Sequence, residues 1–376
     1  MTNILNLFHS LFLAYPFLII IVSFIIGFIA MPYVLRVSIR KQMVVKPNKR
    51  TSHKGNIPNV GGINIFTSFI ISYLLLTVSG TLDSSRFLLA GMYLIFIVGF
   101  FDDLIAFSPK KKLIGELVAG FILIVIADVR LTDLQGFLGI GQVSVWISYA
   151  TSFFLFLLII NSLNLIDGVD GLATGIGMLI CAFFGIYFQL VGQSLNKPDI
   201  LNLSIMAYSL IGSLAIFFIY NVFGKRSKIF MGDSGALVLG YIVYVLVIKF
   251  CEINLQPPIS EYYVRCSPAV AVCVLAVPLF DTLRVMITRI KKGFSPFKPD
   301  KNHMHHLLLS IGLKHRQVTF VLVSVNLNFI VLGLIGHGWK NSILVLSAIA
   351  LAAIYTLILW TAVDKHNKRL PKSEIV

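Results

Sequence analysis

FMGDSGALVLGYIVYVLVIKF, residues Phe230–Phe250, carries the pattern that decides the fold: one carboxylate among small residues, Gly232-Asp233-Ser234-Gly235, followed by an apolar run from Ala236 onward whose only charge is Lys249. Such a run has no polar face to turn toward water. It reads as a helix crossing hydrocarbon, with Asp233 near its N-cap. The same arrangement recurs along the chain. Apolar runs near Ala14–Met31, Ile63–Ser79, Phe87–Phe101, Leu113–Ala127, Val145–Ile160, Leu172–Val191, Leu203–Ile219, Pro268–Ile287, Thr319–Ile335 and Ser342–Ala362 join Ala236–Phe250. With some trimming or tilt each has room for about 30 Å of hydrocarbon. The composition agrees, with 57% hydrophobic residues, 12% charged residues and a mean hydropathy of +0.89 over 376 residues, which excludes an ordinary water-soluble domain. The expected fold is an all-α polytopic membrane protein of about 11 transmembrane helices, forming a single integral membrane domain over residues 1–376. The first run follows no Lys or Arg and precedes no small-residue cleavage site, so it reads as a retained span.

Basic residues set the expected orientation, because short loops rich in Lys and Arg stay cytoplasmic. With the N terminus outside, twenty-four of the 31 Lys and Arg fall inside and six fall outside or at outer helix ends, while Arg284 lies within a span. An odd number of spans and a cytoplasmic C terminus follow. The net charge of +15 then reflects topology and contact with anionic membrane lipid, and no nucleic acid is expected as a partner. The four cysteines form no metal spacing. Cys251 and Cys266 flank one outer loop and could pair there.

The polar clusters all fall on the inner side, in loops near residues 36–62, 102–112, 161–171, 220–235 and 288–317. Asp102 and Asp103 end one span and Lys110–Lys112 open the next. Adjacent carboxylates need a cation to offset them, either lysine or a hard divalent ion. Asn161, Asn164, Asp167 and Asp170 recur every third residue, a polar stripe at the membrane boundary with Gly168 and Gly171 allowing close backbone approach. A capping turn explains one or two of these residues but not all; oxygen donors in this number suit a metal–phosphate site, a sugar or a nucleobase. His303, His305 and His306 lie among lysines with no cysteine nearby, a set better fitted to phosphate oxygens than to zinc. His53 lies in a basic first loop. Asp281 is an intramembrane acid with Arg284 at i+3 as its expected partner. Together these groups describe phosphoryl transfer at a cytoplasmic membrane face.

Phe101-Asp102-Asp103, Asn161-x-x-Asn164-x-x-Asp167-Gly-x-Asp170-Gly171-Leu172, Phe230-Met231-Gly232-Asp233 and Ser295-Pro296-Phe297-x-x-Asp300-x-x-His303-x-His305-His306 resemble the polyprenyl-phosphate N-acetylhexosamine-1-phosphate transferases, glycosyltransferase family 4. Met304 interrupts the histidines, and His53 stands where the peptidoglycan translocases carry lysine. The chain is therefore more similar to the branch that starts O-antigen, enterobacterial common antigen or wall teichoic acid. The resemblance implies an enzyme of the bacterial inner membrane that moves a sugar 1-phosphate, GlcNAc-1-phosphate by default, from a UDP-N-acetylhexosamine to undecaprenyl phosphate, releasing UMP, with Mg2+ or Mn2+. It implies Asp102, Asp103 and Asp167 as catalytic residues and Asp233 with Asn164 at the metal. Lys112, His53, Asn161, Asp170, His303, His305 and His306 are implied as substrate-binding residues, and a homodimer suits the superfamily. A transporter would place its charges near the bilayer midplane and repeat its halves, and this sequence does neither.

Overall fold

The computed structural model describes residues 15–45, 57–77, 82–137, 139–224, 227–255, 261–295, 300 and 302–369. His53, Lys301 and the Pro296-Phe297 part of the last motif lie outside the described residues. In order, the elements are α1 Pro16–Arg40, β1 Val44–Val45, β2 Ile57–Pro58, α2 Gly61–Leu76, α3 Leu82–Ile105 and α4 Pro109–Phe121, which runs into a π-helical turn over Ile122–Ile126. The hairpin strands β3 Asp133–Phe137 and β4 Ile140–Gln142 lead to α5 Val145–Leu165, α6 Leu172–Leu195 and α7 Pro198–Phe218, with a second π turn over Ile219–Phe223. Then come α8 Gly232–Ile253, α9 Ser267–Val274, α10 Ala276–Lys291, α11 Met304–Ser310, α12 His315–Ile335 and α13 Asn341–Arg369.

The chain is an all-α polytopic membrane protein. Among the described residues eight helices are long and apolar enough to cross a membrane, and nine if α9 and α10 count as one bent span. Over its described residues every apolar run of the sequence is helical, Pro268–Ile287 as the bent pair α9 and α10. The difference from the expected eleven lies in α2, which has 16 residues, and α4, whose opening Lys110–Lys112 and buried Glu116 leave it short of an apolar span. Pro16, Pro109 and Pro198 begin α1, α4 and α7, where a missing N–H costs nothing.

The opening stretch of the sequence lies at the centre. The α8 span is 83% buried, whereas those of α1 and α13 are 28% and 22% buried and turn most of their apolar side chains outward, as lipid-facing helices do. Tight approaches at the start of α8 depend on missing side chains. A Cβ on Gly99 of α3 would lie 2.5 Å from Ser234 Cα, and Gly62 of α2 abuts the Gly235 backbone. Around this point the loops interlock: Phe230 N donates to Pro58 O at 2.8 Å, Gly61 N to Phe230 O at 2.9 Å and Gly62 N to Met231 O at 2.8 Å. The first N–H groups of α2 thus find acceptors in the loop before α8.

The opposite end of the bundle is tied by the β3–β4 hairpin. Gln135 donates to Cys251 O at 3.1 Å and accepts from Ser267 Oγ at 3.0 Å, and Glu252 accepts from Thr132 N and Oγ1, both at 2.8 Å. Cys251 and Cys266 are buried free thiols, and the pairing considered from their spacing is not formed. Cys266 Sγ instead donates to the carbonyls of Gly336 and His337 at 3.2 Å.

Between α9 and α10 the chain bends by 81°. Pro278 has no N–H to offer the carbonyl of Val274, so a straight helix would leave that group unpaired. Asn326 of α12 repairs the break, its Nδ2 donating to Val274 O at 3.0 Å and its Oδ1 accepting from Val277 N at 3.0 Å. Replacing Asn326 by leucine strands both groups in a buried setting, at a cost of about 1–3 kcal/mol for each unsatisfied group. Thermal unfolding in detergent should show a lowered midpoint for Asn326→Leu; an unchanged midpoint would mean that the break is satisfied without it.

Candidate active site

The site begins with a helix end. Asp103, two residues before the end of α3, fills its acceptor positions with donors from the start of α8: Oδ1 accepts from Asp233 N at 2.7 Å, and Oδ2 from Ser234 N at 3.0 Å and Ser234 Oγ at 2.7 Å. Asn59 Nδ2 adds a fourth bond to Oδ1 at 2.9 Å. Four donors account for roughly all the lone pairs of a carboxylate, and a negative charge at a helix N-terminus is favoured. Gly232 has φ of +72°, and a Cβ there would meet Asp103 Oδ2 at 2.6 Å, so only glycine admits this approach. Asp103 therefore builds the site by joining α3 to α8.

Its neighbour Asp102 faces Lys112. Oδ1 of Asp102 accepts from Phe107 N at 2.6 Å, closing the turn after α3, and Oδ2 lies 3.2 Å from Lys112 Nζ. The same ammonium is bonded to Asp233 Oδ1. Asn164 Nδ2 also donates to Asp233 Oδ1, at 2.8 Å. Lys112, Asp102, Asp233 and Asn164, drawn from α3, α4, α5 and α8, meet at one point, and the Asp233 side chain keeps 30% of its surface open. One turn before Asn164, Asn161 donates to Glu116 Oε2 at 3.0 Å and to its own helix at Leu157 O.

The turn between α5 and α6 is fixed from several sides. Asn221, in the π turn after α7, accepts from Gly171 N at 2.6 Å and donates to Ile229 O at 2.9 Å, so one side chain joins this turn to the loop before α8. Asp170 Oδ2 pairs with Lys228 Nζ at 2.7 Å and with His315 Nδ1 at 3.2 Å, and its carbonyl accepts from Thr319 Oγ1 at 2.7 Å. Burial alone would raise the Asp170 carboxyl, but the bonds from His315 and Lys228 outweigh it and hold the group below its ordinary value. Asp167 differs. Burial, and then the charges of Asp233, Asp103 and Asp170, push its carboxyl well above the usual range.

The histidine loop is anchored by Asp281. This buried carboxylate on α10 takes His303 Nδ1 at 2.9 Å, Arg284 Nη2 at 2.8 Å and Met304 N at 3.0 Å. The expected Asp281–Arg284 pair is present, and it also caps α11 and orients a histidine. Arg289 grips Asp300 through Nε at 2.9 Å and Nη2 at 3.0 Å, which keeps the Asp300 carboxyl below its ordinary value despite the opposing effect of burial. His305 is buried, with its ring over Gly168, where a Cβ would stand 3.1 Å from Nε2. Burial and then the neighbouring His306 push its imidazole down to about 3, so it is neutral at physiological pH. His305 and His306 rings lie 4.2 Å apart.

The residues singled out from the sequence thus form two groups: Asp102, Asp103, Lys112, Asn161, Asn164 and Asp233 in one, and Asp167, Asp170 and the histidine loop in the other, where His305 lies against Gly168; the charges of Asp233 and Asp103 reach Asp167 across them. Seven further residues carry the arrangement. Asn59 and Ser234 hold Asp103, Asn221, Lys228, His315 and Thr319 hold the turn at Asp170, and Glu116 holds Asn161. In the sequence, Ser234 stands inside the Gly232–Gly235 pattern, and Glu116 is marked as the lone acid of an apolar run, one helical turn from Lys112.

The donor set fits a hard divalent ion. Asp102 and Asp233 contact one ammonium and Glu116 lies one helical turn from it, an excess of carboxylate oxygen over cation. Among the described residues no three His, Cys, Asp or Glu side chains are grouped so as to hold a metal ion by themselves; a magnesium ion bound here would take the rest of its shell from water and substrate phosphates.

The family description matching this chain is glycosyl transferase family 4, over residues 85–251. That stretch includes every residue of the Lys112–Asp233 group except Asn59 and ends before the histidine loop. The chain is 30% identical to the undecaprenyl-phosphate alpha-N-acetylglucosaminyl 1-phosphate transferase of Yersinia pestis, over 77% of this chain and 75% of that protein. It is 30% identical to the enzyme of the same name from Escherichia coli K12, over 75% and 73%. It is also 30% identical to a probable undecaprenyl-phosphate N-acetylglucosaminyl 1-phosphate transferase of Bacillus subtilis, over 82% and 83%.

The anchoring of the histidine loop can be tested apart from any chemistry. Asp281→Asn keeps the side-chain shape but replaces a charge-assisted acceptor of three donors with a neutral one, so the loop should loosen. Hydrogen exchange at residues 302–310 is expected to accelerate while exchange in α8 stays unchanged; equal exchange in both proteins would remove Asp281 as the anchor.

Proposed function

The chain belongs to glycosyl transferase family 4 and is a membrane glycosyl-1-phosphate transferase; on that premise we propose that it transfers GlcNAc-1-phosphate from UDP-GlcNAc to undecaprenyl phosphate at the cytoplasmic face of a bacterial inner membrane. An oxygen of the lipid phosphate attacks the β-phosphorus of the donor. The bond between the β-phosphorus and the oxygen that bridges it to the α-phosphate breaks, UMP leaves carrying that bridging oxygen, and the lipid-linked diphosphate sugar remains. This would be the first membrane step of O-antigen, teichoic acid or related envelope glycan synthesis.

The observation that carries the reading is the meeting of Lys112, Asp102, Asp233 and Asn164 beside a partly open carboxylate. Phosphoryl transfer needs little covalent chemistry from the protein; it needs charge neutralised and reactants aligned. Lys112 supplies a cation for the lipid phosphate, and Asp102 orients that cation while remaining able to accept a proton from the acceptor. Asp233, with Asn164 beside it, would hold Mg2+ or Mn2+, and such an ion supplies charge neutralisation on the diphosphate. The α5–α6 turn with Asp167 and Asp170 suits the nucleotide, and His303, His305 and His306, with His53, suit the diphosphate. Asp103 contributes through the α8 terminus it holds. The loop cations favour an outer N terminus and a cytoplasmic C terminus, with α2, α4 and the bent α9–α10 pair completing eleven crossings in one domain.

Three measurements on purified protein in detergent test this. Release of UMP from a panel of UDP-N-acetylhexosamines with undecaprenyl phosphate should be fastest with UDP-GlcNAc; a preference for another sugar would replace the donor and keep the reaction class. Chelation should abolish turnover and Mg2+ or Mn2+ should restore it. Asp233→Ala should lower turnover by about 10²-fold or more, the scale of losing one group that stabilises transition-state charge, with the melting temperature unchanged. Turnover retained at the wild-type level would exclude Asp233 from metal binding.

A further inference from the structure

Glu116 is a buried acid beside the reacting groups with no part in the chemistry above. It lies on α4 one helical turn after Lys112, is 1% exposed, and has Oε2 bonded to Asn161 Nδ2 at 3.0 Å. Its other oxygen, Oε1, is buried and has no hydrogen-bond partner. A buried ionised carboxylate with one neutral donor is costly unless a cation stands near it. Residues four apart on a helix are neighbours, and Lys112 and Glu116 feel each other's charge. Yet the Lys112 ammonium is committed to Asp233 and to Asp102, the latter at 3.2 Å. Three carboxylates therefore lie around one ammonium, and among them Glu116 is the one with a buried oxygen that lacks a partner.

That surplus matters when Asp233 takes a divalent ion. An ion held across both oxygens of Asp233 would meet the Lys112 ammonium at Oδ1, and since two positive groups on one carboxylate oxygen repel strongly, Lys112 would then give up Asp233. Asp102 alone would then hold it, with one oxygen already used by Phe107 N. We propose that Glu116 is a positioning residue that receives the Lys112 ammonium when a divalent cation occupies Asp233, so that Lys112 stays in the site as the cation facing the lipid phosphate. The inference rests on the reading of Asp233 as metal holder. The lysine side chain is long and flexible enough to exchange one partner for another a turn away. Asn161 supports the exchange: its amide nitrogen donates both to Glu116 and to Leu157 O, which fixes the carboxylate and leaves Oε1 as its free acceptor.

Without the charge of Glu116, Lys112 has only Asp102 as an alternative to Asp233 and competes with the metal. Glu116→Gln should therefore weaken metal binding by about tenfold, the scale of one charge interaction across a few ångströms at a protein boundary. Glutamine still accepts from Asn161 through its carbonyl, so the fold should be kept, and the melting temperature checks this. The experiment is Mn2+ titration of the full-length protein in detergent, followed by electron paramagnetic resonance, for wild type, Glu116→Gln, Lys112→Gln and the double variant. The expected result is coupling: tenfold weakening by Glu116→Gln in the wild-type background and little change in the Lys112→Gln background. Equal weakening in both backgrounds would make Glu116 a direct metal ligand and overturn the proposal. No weakening in the wild-type background would make it a neutral packing group, with the same consequence. Failure of the wild type to bind Mn2+ at all would overturn the metal reading of Asp233 and this inference with it; the two coupling outcomes, by contrast, leave the metal reading standing.

Discussion

The carboxylate of Asp103 at the N-terminus of α8 is the contact on which the rest of the site hangs. The first N–H groups of that helix have no partners within it, and at its buried start they have little access to water. Asp103 supplies the acceptors and the negative charge that the helix end favours, while Asn59 brings the first loop to the same carboxylate. This one bond set fixes three things: where α3 ends, where α8 begins, and the separation of Asp102 and Asp233, which are its immediate neighbours in the two chains of contact. Gly232, Gly99 and Gly62 are the cost of that closeness, since a side chain at any of them would enter the space that the backbone and carboxylate occupy.

Hydrocarbon imposes the second constraint. Wherever a helix is broken to bring polar residues into reach, the freed backbone groups must find protein partners. The structure answers with amides. Asn326 bridges the break between α9 and α10, and Asn221 bridges the turn before α6 and the loop before α8. Each amide offers a donor and an acceptor a few ångströms apart, which is the pair that an interrupted helix leaves unpaired. These two asparagines therefore belong to the same solution: irregular backbone placed next to the site and paid for by side chains from elsewhere in the bundle.

Reading the sequence found the helices because uninterrupted apolar runs leave no competing interpretation, and it found the polar clusters because carboxylates and histidines at the rim of such runs need a reason to be there. Pattern alone does not divide their labour; the division stated from the sequence came from the family resemblance. Asp102 and Asp103 are adjacent and chemically identical, yet one faces an ammonium and the other saturates a helix end, a distinction set by which side of α3 each projects from. The pairing of Asp170 with Lys228 and His315 joins residues 58 and 145 positions apart, and no local pattern encodes it. The span count differs for a related reason. Lys110–Lys112 and Glu116 interrupt the fourth run where the site needs charge, so length and hydropathy fall short in the segment that contributes most to the chemistry. The cysteines flanking one loop looked suited to each other, but Cys266 donates its thiol proton to the turn before α13 instead.

The two halves of the site differ in how firmly they are held, and this difference matches what each would bind. The turn carrying Asp167 and Asp170 is fastened by Asn221, Lys228, His315 and Thr319, four side chains from three other parts of the chain. A soluble nucleotide arriving from water is recognised best by such a preorganised surface, because little ordering is left to be done on binding. The other half has a single ammonium among several carboxylates, one of them partly open and another with a free oxygen. Under the proposed exchange of Lys112 between carboxylates, the occupant decides which of them holds the ammonium. In the proposed reaction that half meets a lipid phosphate delivered along the membrane and a divalent ion, both charged. A lysine with a choice of counter-ions accommodates their arrival and departure without leaving any buried charge unpaired.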